Sequence, residues 1–250
     1  MNLKKYFELS RFWLLLKMEI SRSRKGLLMA LTIIFGFLFI VGFLLAPILD
    51  PDLKIYEYTQ GYTFMLLAGG FVLSSLAYRD LGNSLKRYNY LTLPVSAFEK
   101  FLSMWLLTSV GWILLFTLIY SVYSLIATPI GRLLFDDLTY VPFDPFGQTA
   151  IESMKFYFVL QGIFLVGATH FRGYALPKTL LTLVIFAAVC GGIIYLIMND
   201  MFNIDMPSGT CPFADMSVGQ MKIILEWMFW WLLAPLCWLI TYMGLKEQEV

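Results

Sequence analysis

The sequence predicts an all-α polytopic membrane protein: six transmembrane helices, an N-terminal interfacial helix, and a short cytoplasmic helix between spans two and three. Three observations carry that prediction. Of 250 residues, 59% are apolar and only 14% charged. Uncharged windows of about 20 residues recur, the length that crosses ~30 Å of hydrocarbon at 1.5 Å per residue. The charges, finally, are sorted. Fourteen of the 18 lysines and arginines fall in segments that six spans place on one side, and eleven of the 17 acids fall on the other. The positive-inside rule puts the basic side, with both termini, in the cytoplasm. No repeat and no composition break divides the chain, so residues 1–250 read as a single transmembrane domain.

Residues 1–25 are basic and amphipathic. Tyr6, Leu9, Trp13, Leu16 and Ile20 follow helical spacing, while Arg11 and Lys17 interrupt any signal-peptide core. This predicts a helix lying in the interface, Trp13 down and the cations toward lipid phosphates. The spans are expected at about 26–46, 62–78, 101–123, 153–171, 179–198 and 223–245. Pro47 ends the first. Gly70 and Ser74 in the second, and Ala187, Ala188, Gly191 and Gly192 in the fifth, form small-xxx-small pairs that let another helix approach closely. The uncharged run of the third continues to Gly131, so this helix either projects beyond the bilayer or turns near Pro129.

One polar stretch, Arg79 to Lys100, stands out on the basic side. Leu81, Leu85, Tyr88 and Leu91 recur at helical spacing, with Lys86 and Arg87 on other faces, which predicts an amphipathic helix of about three turns over 81–91. Pro94 stops it, because proline lacks an N–H and pushes Leu93 out of the α region. Ser96-x-x-Glu99 is a capping box that starts the third span. A helix across the cytoplasmic face, stiffly joined to a spanning helix, suits the passage of motion between a soluble partner and the bilayer; a solvated interhelical loop is the plainer alternative.

Energy-converting and catalytic chemistry are absent from the pattern. There is no Gly-x-x-x-x-Gly-Lys-[Ser/Thr] loop to hold nucleotide phosphates, no Gly-x-Ser-x-Gly and no His-Glu-x-x-His. One histidine and three scattered cysteines exclude the usual transition-metal and disulfide frameworks, and a net charge of +1 gives no reason to expect nucleic acid. His170 falls at the inner end of the fourth span, where an imidazole is inexpensive. The outer acids Asp136, Asp137 and Asp144 match no calcium-binding loop. Glu226 alone among carboxylates adjoins a span; as an outer-leaflet polar site it would line a path, pair with Lys222, or sit at headgroup level beside Trp227 and Trp230. Catalytic residues and metal ligands are therefore expected to be none.

At 88–106, YNYLTLPVSAFEKFLSMWL, and 170–181, HFRGYALPKTLL, the chain resembles permease subunits of the ABC-2 transporter family, in the form found in Bacteroidota. That resemblance implies a subunit of an ATP-driven exporter in the inner membrane of a bacterium. The chain would hold no cofactor and would not itself be an enzyme. A partner ATPase would carry ATP and Mg, and a second permease copy or a related permease would complete the transporter. The helix formed by Leu81, Leu85, Lys86, Arg87, Tyr88 and Leu91 would be the coupling helix, with Pro94, Ser96 and Glu99 as its hinge and cap. A subunit that transmits force or signal without moving a substrate is the second reading. The family's substrates are too varied to select one.

Overall fold

The computed structural model describes residues 7–37, 39–40, 55–82, 84–134, 139–171, 173–203 and 227–248. These are mostly helical. Among the described residues, four helical segments are long and apolar enough to cross a membrane: Ala97–Leu133, Gln148–His170, Ala175–Gly192 and Phe229–Glu247.

The first helix, α1, runs Leu9–Phe37 without interruption. The sequence divides this region at residue 25 into an interfacial helix and a span; the structure joins the two halves. Between Ser21 and Gly26 there is no proline, and one glycine costs a helix only ~1 kcal/mol. The first half of α1 lies against residues 80 and 99, at one end of the bundle. Farther along, Phe35 stacks on Phe116 at 5.9 Å, deep in the bundle. The buried stripe of the first half is Phe12, Leu15, Leu16 and Glu19, whereas Leu9, Trp13 and Ile20 are exposed. The helix thus has two apolar faces. The stripe that the sequence singles out mainly faces away from the protein.

A short strand, β1 (Ile55–Glu57), leads into α2 (Tyr58–Leu76). Thr59, Gln60 and Thr63 leave α2 outside the four segments that are apolar enough to cross. It is nevertheless central, because Tyr62, Leu66, Gly70 and Ser74 make a buried stripe at four-residue spacing. After a 3-10 turn (Arg79–Gly82) comes α3 (Ser84–Leu91), then α4 (Ala97–Leu106), a π turn (Leu107–Gly111) and α5 (Trp112–Leu134). Together α4, the π turn and α5 make a rod of some 55 Å at 1.5 Å per residue, and it passes through Pro129 rather than ending there. This continuous helical rod is longer than the ~30 Å that hydrocarbon needs.

Beyond it, β2 (Thr139–Val141) pairs parallel with β1, in the register Ile55 with Thr139, Tyr56 with Tyr140 and Glu57 with Val141. The chain continues as α6 (Gln148–His170) and α7 (Ala175–Asn203). It ends in a π turn (Phe229–Leu233) and α8 (Ala234–Glu247). Gly173, at φ +69°, and Tyr174, at φ 50°, turn the chain between α6 and α7.

The bundle has two distinct ends. At one, β1 and β2 close an aromatic core in which Tyr62 meets Phe143 at 4.6 Å and Tyr120 meets Phe143 at 5.0 Å. The Trp112 indole donates to the Leu66 carbonyl, and the Tyr120 hydroxyl to that of Tyr58. At the other end, Tyr78, Leu81, Tyr90, Phe101, Leu165 and Leu245 form a second core. Gln248 Nε2 donates to the Thr169 carbonyl at 3.0 Å, which ties the tail to this end. Parallel pairing of the 55–57 and 139–141 segments puts those two connections on one side. The stretch 79–100, the α6–α7 turn and the tail lie together on the other.

Candidate functional site

The stretch from Arg79 to Lys100 is built in three pieces rather than as one helix. The uniform helix expected over 81–91 is corrected to the 3-10 turn Arg79–Gly82 and the two-turn α3. The expected single apolar face is corrected with it. Leu81 is 5% exposed and belongs to the inner core, while Leu85 and Tyr88 are 77% and 71% exposed. A 3-10 turn advances about 120° per residue and an α-helix about 100°, so spacing read as one α-helix assigns Leu81 and Leu85 one face wrongly. Lys86 is also exposed and Arg87 half-buried.

What anchors α3 is a residue outside the expected set. Tyr90 is 4% exposed, and the ammonium of Lys100, itself 1% exposed, lies 5.6 Å from its ring centre. Successive residues turn by about 100°, so Tyr88 and Tyr90 point to nearly opposite sides. Tyr90 therefore fastens α3 to α4 as Leu85 and Tyr88, three apart on one face, point outward. The alternating tyrosines of YNY carry this signal in the sequence, but nothing in the spacing says which one is buried.

The joint to α4 is stiff. Thr92 N–H donates to the Tyr88 carbonyl, closing α3 before Pro94, and Val95 N–H reaches the Leu93 carbonyl at 2.7 Å in a tight turn. Ser96 is the N-cap: its hydroxyl accepts from Glu99 N–H at 3.2 Å, and Glu99 Oε2 accepts from Ser96 N–H at 2.9 Å. Glu99 does more than cap. Fully buried, its Oε1 accepts from Glu8 N–H at 2.8 Å and lies 3.5 Å from the Arg11 guanidinium. At the other end of the stretch, Arg22 meets Asp80 at 2.9 Å, and Lys86 approaches the second oxygen of Asp80 at 3.7 Å. The first half of α1 thus clasps the stretch at both ends, through Glu99 and through Asp80.

Glu19, between these clasps, is 2% exposed, and its Oε1 has no hydrogen-bond partner among the described residues. Burial raises its pKa, the Arg22 guanidinium opposes the rise, and Asp80 adds to it.

A second polar cluster sits where the sequence shows only a greasy span. The π turn displaces the regular hydrogen-bond ladder, and the Tyr157 hydroxyl donates to the Thr108 carbonyl. Gln161 Nε2 donates to the Thr108 hydroxyl at 2.7 Å, and Ser74 Oγ lies 3.5 Å from the Tyr157 hydroxyl. Gly70 makes room for this arrangement, since a Cβ there would overlap the Tyr157 ring. Gly70 and Ser74 therefore line the contact between α2 and α6. By contrast, Ala187, Ala188, Gly191 and Gly192 lie on the exposed side of α7, and neither glycine has a neighbour within 4 Å of its would-be Cβ. His170 is exposed, with Nδ1 3.2 Å from both the Val166 carbonyl and the Thr169 hydroxyl.

Glu226, Asp136 and Asp137 lie outside the described residues. Among the described residues, no group of three or more histidines, cysteines and acids could hold a metal ion. No known family model matches the chain, and neither a curated protein nor a solved structure is significantly similar to it.

Proposed function

We propose that this chain is the membrane-spanning permease subunit of an ATP-driven exporter, coupled through α3 to a separate ATPase. The observation that carries the reading is the two-sided construction of α3. Its inner side is pinned by Tyr90 to the third span, and its outer side offers Leu85 and Tyr88 to a partner. A force applied to that outer side is delivered through the turn at Pro94 and the Ser96–Glu99 cap to the third span. Soluble helices bury such apolar pairs; here both side chains are largely exposed. The ATPase would supply ATP and Mg, and this chain the passage.

The same proposal takes six spans, with α1 and α2 contributing the first two, in a bacterial cytoplasmic membrane with both termini inside. The sorted charges support that orientation, as does the gathering of 79–100, the α6–α7 turn and the tail at one end of the bundle. In a background without the three native cysteines, Ser84→Cys should be labelled only from the cytoplasm and Thr139→Cys only from outside. Labelling of Ser84→Cys in intact cells would overturn the orientation.

The coupling itself is tested by what co-purifies with the tagged chain in mild detergent. An ATPase with a nucleotide-binding loop should be retained. Tyr88→Ala should weaken that binding by roughly 2 kcal/mol, the cost of a lost aromatic anchor. Lys86→Ala should cost less and depend on salt. Pro94→Ala should preserve binding while lowering transport for each ATP consumed. Wild-type ATPase binding and turnover in Tyr88→Ala would require the coupling reading to be abandoned.

A further inference from the structure

Between the two clasps of α1 the structure leaves a groove of about 670 Å³. One wall is a single face of α1, carrying Leu14, Lys17, Ser21 and Arg22; the other comes from the 79–100 stretch, with Asn89 and Leu93. The groove is chemically divided. Lys17, Ser21, Arg22 and Asn89 offer two cations and two neutral donors, while Leu14 and Leu93 are apolar. No carboxylate lines it. Arg22 spends part of its guanidinium on Asp80, but five N–H donors leave others to give. Lys17 is exposed and makes no ion pair among the described residues. Leu14 in the wall and Trp13 next to it in the chain are 66% and 64% exposed, an arrangement that water penalises and lipid does not.

We propose that this groove is a binding site for an anionic phospholipid of the bilayer, its phosphate held by Lys17 and Arg22 with Ser21 and Asn89, and its acyl chain laid along Leu14 and Leu93. The chemistry favours a phosphodiester attached to a chain over a free anion, because cations and apolar surface line the same space. Basic pockets at the cytoplasmic interface select anionic headgroups, and each cation near the surface strengthens binding several-fold. With Arg22 shared with Asp80, a preference of about tenfold for an anionic over a zwitterionic headgroup is expected. A lipid seated there would touch both α1 and the stretch that α1 clasps, so lipid composition would set how firmly the two are joined. The proposal stands apart from the ATPase reading, since it is measured on this chain alone.

The test uses the full chain, purified in mild detergent and exchanged into mixtures of phosphatidylglycerol and phosphatidylcholine with matched acyl chains. Lipid retained per chain is counted by native mass spectrometry. Wild type should keep about one phosphatidylglycerol, with the tenfold preference. Lys17→Gln combined with Asn89→Ala should reduce that preference to about twofold or less, both side chains being exposed and outside the clasps. Arg24→Gln removes an equal charge from α1 outside the groove and should leave the preference intact. Equal retention of the two lipids, or an equal loss in Arg24→Gln, would overturn the proposal in favour of diffuse surface charge. Inorganic phosphate or glycerol phosphate at millimolar concentration should not displace the lipid; displacement would reassign the groove to a soluble anion.

Discussion

Glu99 is the residue on which two elements meet, and its replacement has a calculable cost. The buried carboxylate accepts from Ser96 N–H and Glu8 N–H and faces Arg11. Glu99→Ala removes its half of the capping box, worth about 1 kcal/mol by analogy with lost caps. It also removes a charge-assisted hydrogen bond that closes the gap to α1, worth about 1.5–3 kcal/mol, and strands a donor at Glu8. A loss of about 3 kcal/mol is expected in total. Glu99→Gln should fall between alanine and wild type, because its amide oxygen can serve one donor while its NH2 opposes the other. Arg11→Ala should cost no more than about 1 kcal/mol, since Arg11 is partly exposed, pairs at 3.5 Å and also reaches Glu8. Thermal unfolding in mild detergent gives the ranking, and limited proteolysis tells where the damage lies: cleavage in 7–25 and 84–95 should accelerate before the spans are attacked. Because Glu99 is sealed from solvent, its contribution should survive 0.5 M salt, whereas the partly exposed Arg22–Asp80 pair should weaken. If Glu99→Ala unfolded like wild type, the docking of α1 through this carboxylate would be refuted.

Three further outcomes follow from the packing and the charges. Gly70→Ala should destabilise the chain by about 1–3 kcal/mol in thermal unfolding, because the added methyl overlaps the Tyr157 ring and the core must shift. Gly191→Ala meets open space, so unfolding of the single chain should be unchanged or slightly improved; Gly191→Leu should be equally silent unless a second copy packs on α7, in which case cross-linking of a dimer should fall. The raised pKa of Glu19 means that the folded state binds its proton more tightly than the unfolded chain does. Its favourable contribution is present below about pH 4.5 and is lost as pH rises through the folded value, so Glu19→Gln should raise the Tm at pH 7–8 and lose that advantage on acidification. A gap that widened on acidification would refute this assignment.

How much of this architecture can be read from the chain depends on the range of the interaction responsible. Hydropathy, charge sorting and the Ser96-x-x-Glu99 cap are local quantities, written in composition or within four residues. They suffice for a helical membrane protein and for the start of α4. The π turn at Leu107–Gly111 has no such signature: the Thr108 carbonyl is satisfied by Tyr157, 49 residues away. Strand pairing between 55–57 and 139–141 is equally invisible, because three-residue strands carry too little alternation to signal themselves.

The candidate site divides along the same line. From its sequence alone, this protein is a membrane chain with a basic, amphipathic, proline-ended stretch between two spans, because periodicity and charge act within a turn or a loop. Tertiary structure decided that Leu81 turns inward while Leu85 and Tyr88 turn out, since Leu81 sits in a 3-10 turn packed into the inner core and the other two on α3. It decided that Tyr90 is the anchor, since Lys100 lies beneath its ring. It also decided that α1 clasps both ends of the stretch, because Glu99 and Asp80 find Glu8, Arg11 and Arg22 only when helices distant in sequence pack side by side.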